Sequence, residues 1–60
     1  MYTIIIHHGP TTMRYPGISN PTDMINEIIS QRKRILDIRV DHSNDSMTGN
    51  VTYYIIITIA

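Results

Sequence analysis

Two isoleucine-rich runs limit the fold of this chain more than any other feature of its sequence. The first is "YTIIIHH", Tyr2–His8, and the second is "VTYYIIITIA", Val51–Ala60. Short runs of β-branched residues favour strands, because their side chains pack well on a pleated sheet and lose freedom in a helix. In both runs the apolar side chains fall on both faces of the sheet. One face therefore needs a cover, and the other exposes apolar groups.

The support for a core is limited, because the chain has 60 residues and no cysteine. A domain of this size buries only about 60% of the surface that its unfolded chain exposes. Small domains commonly add disulfides, a metal or self-association. The absence of cysteine excludes disulfides and thiolate zinc sites. The supports that remain are a metal held by histidine and carboxylate, self-association, or close packing.

The charges balance, with five Lys and Arg residues against five Asp and Glu residues. A neutral chain has no long-range attraction for nucleic acid or for an anionic membrane surface. No apolar run approaches the 18 residues of a membrane-spanning helix, and no basic segment precedes an apolar run as in a signal peptide. We expect a cytoplasmic protein without nucleic-acid or membrane partners.

The segments between the two runs predict a helix and a further strand. Residues 9–20, "GPTTMRYPGISN", are predicted to form a loop, because prolines and glycines interrupt regular structure. A helix is expected from Pro21 to Arg34, with Asn20 as its N-cap. "ILDIRVDH", Ile35–His42, alternates apolar and polar residues as a half-buried strand does, and a turn leads to Val51.

These elements predict a single α+β domain over residues 1–60, with the order β-α-β-β. The three-stranded sheet has the order 1-3-2, because the last strand is the most apolar and would promote aggregation at an edge. The helical crossover makes the first two strands parallel, so the last strand pairs antiparallel with both. The single helix covers one face, which is predicted to hold Ile4, Ile6, Leu36, Ile38, Val40, Val51, Tyr53, Ile55, Ile57 and Ile59.

The other face of the sheet is predicted to be an association surface. Ile5, Tyr54 and Ile56 form an apolar patch there, with Arg39 at its rim. Apolar patches with a polar rim are typical of protein interfaces. The alternative is a solvated face, since isolated apolar side chains are common on surfaces. We expect a homo-oligomer that stacks these faces or extends a sheet edge.

Four residues are candidates for a metal site. If the first two strands are parallel, His7 or His8 lies at the same rim as Asp41 and His42. Histidine and carboxylate are reasonable ligands for zinc or another divalent ion. With the last strand between them, however, the outer strands are about 10 Å apart. We therefore expect solvated strand ends and no metal, and a metal site is the alternative.

The long loop 9–20 is a candidate site for a small anion. It carries Thr11, Thr12, Arg14 and Tyr15, and it leads to a helix N-terminus, where free N–H groups attract anions. The guanidinium group of Arg14 is suited to bind a phosphate or a carboxylate through two parallel hydrogen bonds. The alternative is a loop that wraps an edge strand or reaches a neighbouring subunit.

The helix and last two strands resemble a group of very small bacterial proteins. "MINEIISQRKRILDIRV" followed by "YYIIITI", within residues 24–59, is similar to β-α-β-β proteins of spore-forming bacteria and their phages, among them sporulation proteins of similar length. The segment "HHGPTTMRYPG" departs from their pattern. The resemblance implies the order of the elements and a bacterial or phage origin, but no biochemical activity.

The predicted function is therefore that of a small interaction protein without enzymatic activity or cofactors. It self-associates through its sheet, and it binds a protein partner or holds a small ligand between subunits. No nucleophile elbow or phosphate-binding glycine loop favours catalysis. The alternative is a ligand- or metal-dependent module, with possible enzymatic activity, that uses the histidine-rich rim and the loop 9–20.

Overall fold

The computed structural model describes residues 1–60, which form one sheet of four strands and one helix. The order of the strands across the sheet is β2-β1-β4-β3. β1 and β4 are therefore interior strands, and β2 and β3 are the edges. The elements are β1 (Tyr2–His8), β2 (Thr11–Ile18), α1 (Pro21–Ser30), β3 (Ile35–Asn44) and β4 (Val51–Ile59).

The predicted three-stranded sheet with the order 1-3-2 is wrong, although the fold is α+β with one helix as expected. The difference is β2, which lies within the segment that we predicted to be a loop. β2 pairs antiparallel with β1, from His8 opposite Thr11 to Tyr2 opposite Ile18. The chain thus forms a hairpin before it enters the helix.

The turn between β1 and β2 explains how "GP" can join two strands. Gly9 has a φ of 58°, a conformation that glycine adopts without steric penalty. Pro10 cannot follow with a positive φ, because its ring holds φ near about −65°. A two-residue turn with a positive φ at its first position only is of type II′, which matches the twist of a hairpin.

β2 accommodates a proline because it is an edge strand. The pairing with β1 shifts register between Tyr2 and Ile4, opposite the Pro16–Gly17 pair. Gly17 has a φ of 71°, as expected of a glycine in a bulge. Proline in sheets is confined to edges and bulges, since it has no N–H for the ladder. Sequence rules that treat proline and glycine as strand breakers therefore miss this strand.

The additional strand reverses the predicted strand directions. β1 and β4 are parallel, and β3 and β4 are antiparallel. It follows that β1 and β3 are antiparallel, whereas we predicted them to be parallel. The last strand is antiparallel to only one of its neighbours, not to both. The helical crossover joins β2 to β3, which are parallel and lie at opposite edges of the sheet.

The start of α1 agrees with the prediction and its end does not. The Asn20 side chain caps the helix by accepting a hydrogen bond from the Thr22 N–H, at 3.2 Å, and Pro21 opens the first turn. The helix ends at Ser30, four residues before the predicted Arg34. Arg32 follows with a φ of 57°, in the left-handed region where helices commonly end.

The core is a compact group of isoleucines in the middle of the sheet and beneath the helix. Its rows follow the pairing of β1 with β4, with Ile4 opposite Ile55 and Ile6 opposite Ile57. Ile28 is the one buried residue of the helix, and it packs in the same cluster as these rows. The buried apolar residues are Ile4, Ile6, Ile28, Ile55, Ile57 and Ile59.

The turn between β3 and β4 is organised by Asp45. Its side-chain Oδ1 accepts hydrogen bonds from the amides of Met47, at 2.9 Å, and Thr48, at 3.4 Å. Its backbone carbonyl accepts one from the Gly49 amide at 2.7 Å. The hydrogen bond from the Met47 amide, followed in size by that from the Thr48 amide, lowers the pKa of the Asp45 carboxyl, because both stabilise the carboxylate.

Replacing Arg32 with glycine should stabilise the protein. A non-glycine residue in the left-handed region is strained by roughly 1–2 kcal/mol. Glycine removes that strain but adds freedom to the unfolded chain, so we expect a net gain of about 0.5–1 kcal/mol in the free energy of unfolding. Urea denaturation followed by circular dichroism measures it. Lys33→Gly also removes a cation, but Lys33 has no positive φ, so this control should lower the free energy of unfolding. Equal effects of the two substitutions would show that Arg32 is not strained.

The Asp45 turn should weaken in acid. Since the folded-state pKa of Asp45 is lowered, its contribution is complete above the unfolded-state pKa and is lost as the pH falls through the folded-state pKa. The amide shifts of Met47 and Thr48 should report this titration by NMR, with a midpoint below that of an aspartate in an unstructured peptide. Asp45→Asn keeps an acceptor oxygen, so its turn should show no such titration. A midpoint at or above the unstructured value would refute the hydrogen-bonding role.

Candidate functional site

The four metal-site candidates do not come together. His7 lies opposite Thr58, and Asp41 lies opposite Tyr54 on the other side of the same strand. Four residues along β4 and two strand spacings separate their Cα atoms by about 16 Å. His8 and His42 are farther apart still, because β1 and β3 run in opposite directions. No group of three or more His, Cys, Asp and Glu side chains is placed to hold a metal ion.

Three of these side chains have a local contact instead. The Nδ1 atom of His7 is 3.0 Å from the Thr12 Oγ1 atom, across the β1–β2 pair. The Oδ1 atom of Asp41 accepts a hydrogen bond of 2.8 Å from the amide of His42. The His42 ring lies 6.5 Å from the Tyr53 ring. The predicted rim with a shared set of ligands depended on a parallel arrangement of β1 and β3, and these two strands are antiparallel.

The predicted anion-binding residues lie on β2 and point to opposite faces of the sheet. Thr12 and Arg14 pair with His7 and Ile5 on the face without the helix. Thr11 and Tyr15 alternate with them and so lie on the helix side. The four side chains therefore do not converge on one ligand. The helix N-terminus is also separated from Arg14 by the rest of β2, and the Asn20 side chain bonds the amide of Thr22.

The predicted interface residues do lie together on the face without the helix. Ile5, Ile56 and Arg39 are consecutive members of one cross-strand row, and Tyr54 lies in the adjacent row. Arg39 forms an ion pair with Asp37 at 2.8 Å, and both side chains are exposed to water. The three apolar residues are only half-exposed, because each has sheet neighbours on both sides. They are not the most exposed apolar surface of the molecule.

The most exposed apolar surface lies along β3, on the helix side of the sheet. Val40 is 70% exposed, Ile38 is 47% exposed and Tyr53 is 43% exposed. We call Ile38 and Val40 of β3, together with the adjacent Tyr53 of β4, the β3 strip. The sequence predicted all three on the helix side of the sheet. For β3 this agrees with the structure, since Ile38 lies opposite buried Ile57 and Val40 lies opposite buried Ile55. It was wrong to expect that the helix covers them. Leu36 and Val51 were also predicted beneath the helix and are also exposed.

The helix is too small to cover four strands. A helix is about 10–12 Å across with its side chains, so it covers about two strands spaced by about 4.8 Å. α1 lies over β1 and β4, and beyond it only Ile35 of β3 is even partly buried. A width calculation on the sequence could have revealed this shortfall, since only one helix was predicted.

The uncovered surface is measurable over the whole molecule. The accessible surface is 4519 Å², whereas a folded monomer of 6.9 kDa typically exposes about 4,000 Å². The radius of gyration is 12.4 Å, against about 10.4 Å for a compact 60-residue domain. The chain therefore exposes about 500 Å² more than its mass requires.

The backbone of β3 is also unpaired along one side. The backbone N–H of Tyr53 donates a hydrogen bond to the carbonyl of Met1, on the side of β1. The backbone N–H of Ala60 donates to the carbonyl of Arg34, on the side of β3. Odd-numbered residues of β4 therefore bond β1, and even-numbered ones bond β3. By the antiparallel register, the N–H and C=O groups that point away from the sheet belong to Ile38, Val40, His42 and Asn44. An edge of this kind can pair with another strand.

A separate cleft lies on the opposite flank of the helix, between α1 and β2. Its volume is about 330 Å³, which is at the lower end of ligand pockets. Most of its lining is apolar, and its polar members are Glu27, Gln31 and Lys33. Tyr15 is the only predicted ligand-binding residue that lines it. Met13, Tyr15, Met24, Ile28, Ile6 and Ile59 are the apolar members.

Comparisons with known proteins match this chain to no family model, no curated protein and no solved structure. The similarity to small proteins of spore-forming bacteria and their phages therefore stays a prediction. None of the helical structure is both long and apolar enough to cross a membrane.

Alanine substitutions of two paired isoleucines should lower the free energy of unfolding by different amounts, because one isoleucine lies in the core and the other in the exposed β3 strip. Ile38 and Ile57 lie opposite each other on the same face, but they are 47% and 0% exposed. Ile57→Ala should lower the free energy of unfolding by about 2–5 kcal/mol, because it leaves a cavity. Ile38→Ala should lower it by about 1 kcal/mol, because roughly half of its surface is already in water. Urea denaturation of dilute protein checks both values; equal losses would show that Ile38 belongs to the core.

Proposed function

We propose that this chain is a non-catalytic protein-interaction module that docks its partner on β3. The observation that supports this most is the coincidence of an unpaired edge with the β3 strip. Backbone groups of the edge can supply hydrogen bonds, and the neighbouring Ile38, Val40 and Tyr53 can supply apolar contact. Addition of a strand to an exposed edge is a common mode of protein recognition. We also propose a cytoplasmic location, since a small secreted domain commonly carries disulfides.

The surface has the composition of an interface and not of a catalytic centre. The β3 strip is apolar, and its rim on the other face carries Asp37, Arg39 and Asp41. Interfaces combine an apolar centre with a charged or polar rim in this way. The titratable groups of this rim are exposed to water, whereas catalytic groups are typically shielded in a cleft.

The face without the helix is a weaker candidate for docking. Ile5, Tyr54 and Ile56 are flanked there by neighbours in the sheet, and their backbone groups are already paired within it. A partner on that face would gain side-chain contacts only. β3 offers side-chain contacts and main-chain hydrogen bonds together, so we place the partner there.

Small-ligand binding is the second candidate function, and the cleft between α1 and β2 favours it. A ligand with a short apolar body and an anionic head would fit the apolar lining and the Lys33 ammonium. Hexanoate is a suitable probe. NMR titration should move the signals of Met13, Met24 and Ile28 and leave that of Val40 unchanged; the absence of such shifts would remove this candidate.

Site-specific photo-crosslinking tests the docking surface. A photoreactive residue in place of Val40 should give an adduct of one defined mass in cells that express the protein. The same residue in place of Met47, which is 95% exposed but lies in the turn, should give none. Mass spectrometry identifies the adduct. No adduct at position 40, or equal adducts at both positions, would show that β3 is not a docking surface.

A further inference from the structure

We propose that the partner of β3 is a second copy of this chain, with the two β3 strands paired antiparallel about a twofold axis at Val40. This inference rests on the proposed function, because it names the occupant of the same surface. Two four-stranded sheets would become one continuous sheet of eight strands. The two helices would lie on the same side of it, since the axis is perpendicular to the sheet.

The other edge of the sheet is unsuited to such pairing. β2 contains Pro16, which has no N–H to donate, and the pairing shifts register beside it. Proline and bulges of this kind keep edge strands from joining other sheets. From Asp37 to Asn44, β3 has no proline, glycine or register shift. Only β3 therefore offers a regular edge to a second strand.

Charges on the open face favour the register with Val40 at the axis over the two neighbouring registers. With Arg39 at the axis, the two Arg39 side chains oppose each other, and with Asp41 at the axis, the two aspartates do. Like charges directly opposite are destabilising across a strand pair. With Val40 at the axis, Arg39 faces the partner's Asp41, and this pair occurs twice. Opposite charges in these positions are stabilising.

The same register also uses the outward-pointing backbone groups well. Val40 lies opposite the partner's Val40, and Ile38 lies opposite the partner's His42 on either side of the axis. All of these residues point their N–H and C=O groups away from β4. Three opposed pairs therefore exchange two hydrogen bonds each. A register with Ile38 at the axis would satisfy fewer, because it runs into the irregularity between Ile35 and Asp37.

Asp41 changes partner when the dimer forms. In the single chain its carboxylate accepts the hydrogen bond of the His42 amide at 2.8 Å, and that amide points to the free edge. In the dimer the amide bonds the carbonyl of the partner's Ile38, and the carboxylate is released to the partner's Arg39. Arg39 keeps Asp37 within reach on its own strand.

The available area fits a dimer of moderate affinity. Over the whole molecule, each chain exposes about 500 Å² more than its mass requires, and two chains together expose about 1,000 Å² more, which is the size of the smallest specific interfaces. The net charge is zero, so no long-range repulsion opposes the approach of two copies. We therefore expect association in the micromolar range.

Charge reversal in purified protein tests the pairing and its register. Sedimentation velocity should show a dimer of the wild type, and monomers of Arg39→Asp and of Asp41→Arg, because each variant places like charges opposite each other. An equimolar mixture of the two variants should form a heterodimer, since both cross-strand pairs become attractive again. Both side chains are exposed, and circular dichroism verifies that each variant is folded.

Single cysteines give a second readout that does not depend on charge, and the chain has none of its own. In the proposed register the Cα atoms of residue 40 are about 5.5 Å apart, a distance that a disulfide spans. Those of residue 38 are about 14 Å apart. Val40→Cys should therefore oxidise to a disulfide-linked dimer, and Ile38→Cys should not.

The outcomes separate this inference from the proposed function. A wild-type chain that stays monomeric at high micromolar concentration would overturn self-pairing, as would a mixture of charge variants that stays monomeric. If residue 40 then still crosslinks to a different protein, the docking function of β3 holds with another partner. If the dimer forms but residue 38 oxidises in place of residue 40, the register is wrong.

Discussion

The parallel pairing of β1 with β4 is the interaction on which the rest of this structure depends. It aligns Ile4 with Ile55 and Ile6 with Ile57, and it places these rows under Ile28 of the helix. Burial of one such side chain is worth roughly 1.5–3 kcal/mol. The six buried isoleucines form the core of the chain. Both edge strands are attached to this pair and add little core of their own.

A core in the centre of the sheet leaves the two edges in different situations. β2 is continuous with β1 through a tight turn, and its bulge and proline limit further pairing. β3 is held by β4 alone, and nearly all of its side chains are exposed. One small helix cannot protect both the centre and the flank of the sheet. The exposed flank is where we place association, because pairing there would use the free backbone groups of the edge and bring its apolar side chains into contact with a partner.

Local signals in the sequence were sufficient for the elements that have a clear pattern. The isoleucine runs predicted β1 and β4, alternation predicted β3, and Asn20 with Pro21 predicted where the helix begins. The end of the helix was missed because Arg32 adopts a left-handed conformation that arginine rarely adopts. β2 was missed because Pro16 and Gly17 normally interrupt strands, and only an edge position with a bulge allows them.

The sequence by itself determined an α+β fold with one helix, and it determined the side of the sheet on which the isoleucines of β1 and β4 and the residues Ile38 and Val40 of β3 lie. These properties follow from short-range periodicity, which is written in the chain. Only the tertiary structure decided strand direction, and with it the separation of His7 and His8 from Asp41 and His42. It also decided which apolar residues are left uncovered. Direction and cover depend on how many strands form and how wide the sheet becomes, and one unrecognised hairpin changes both.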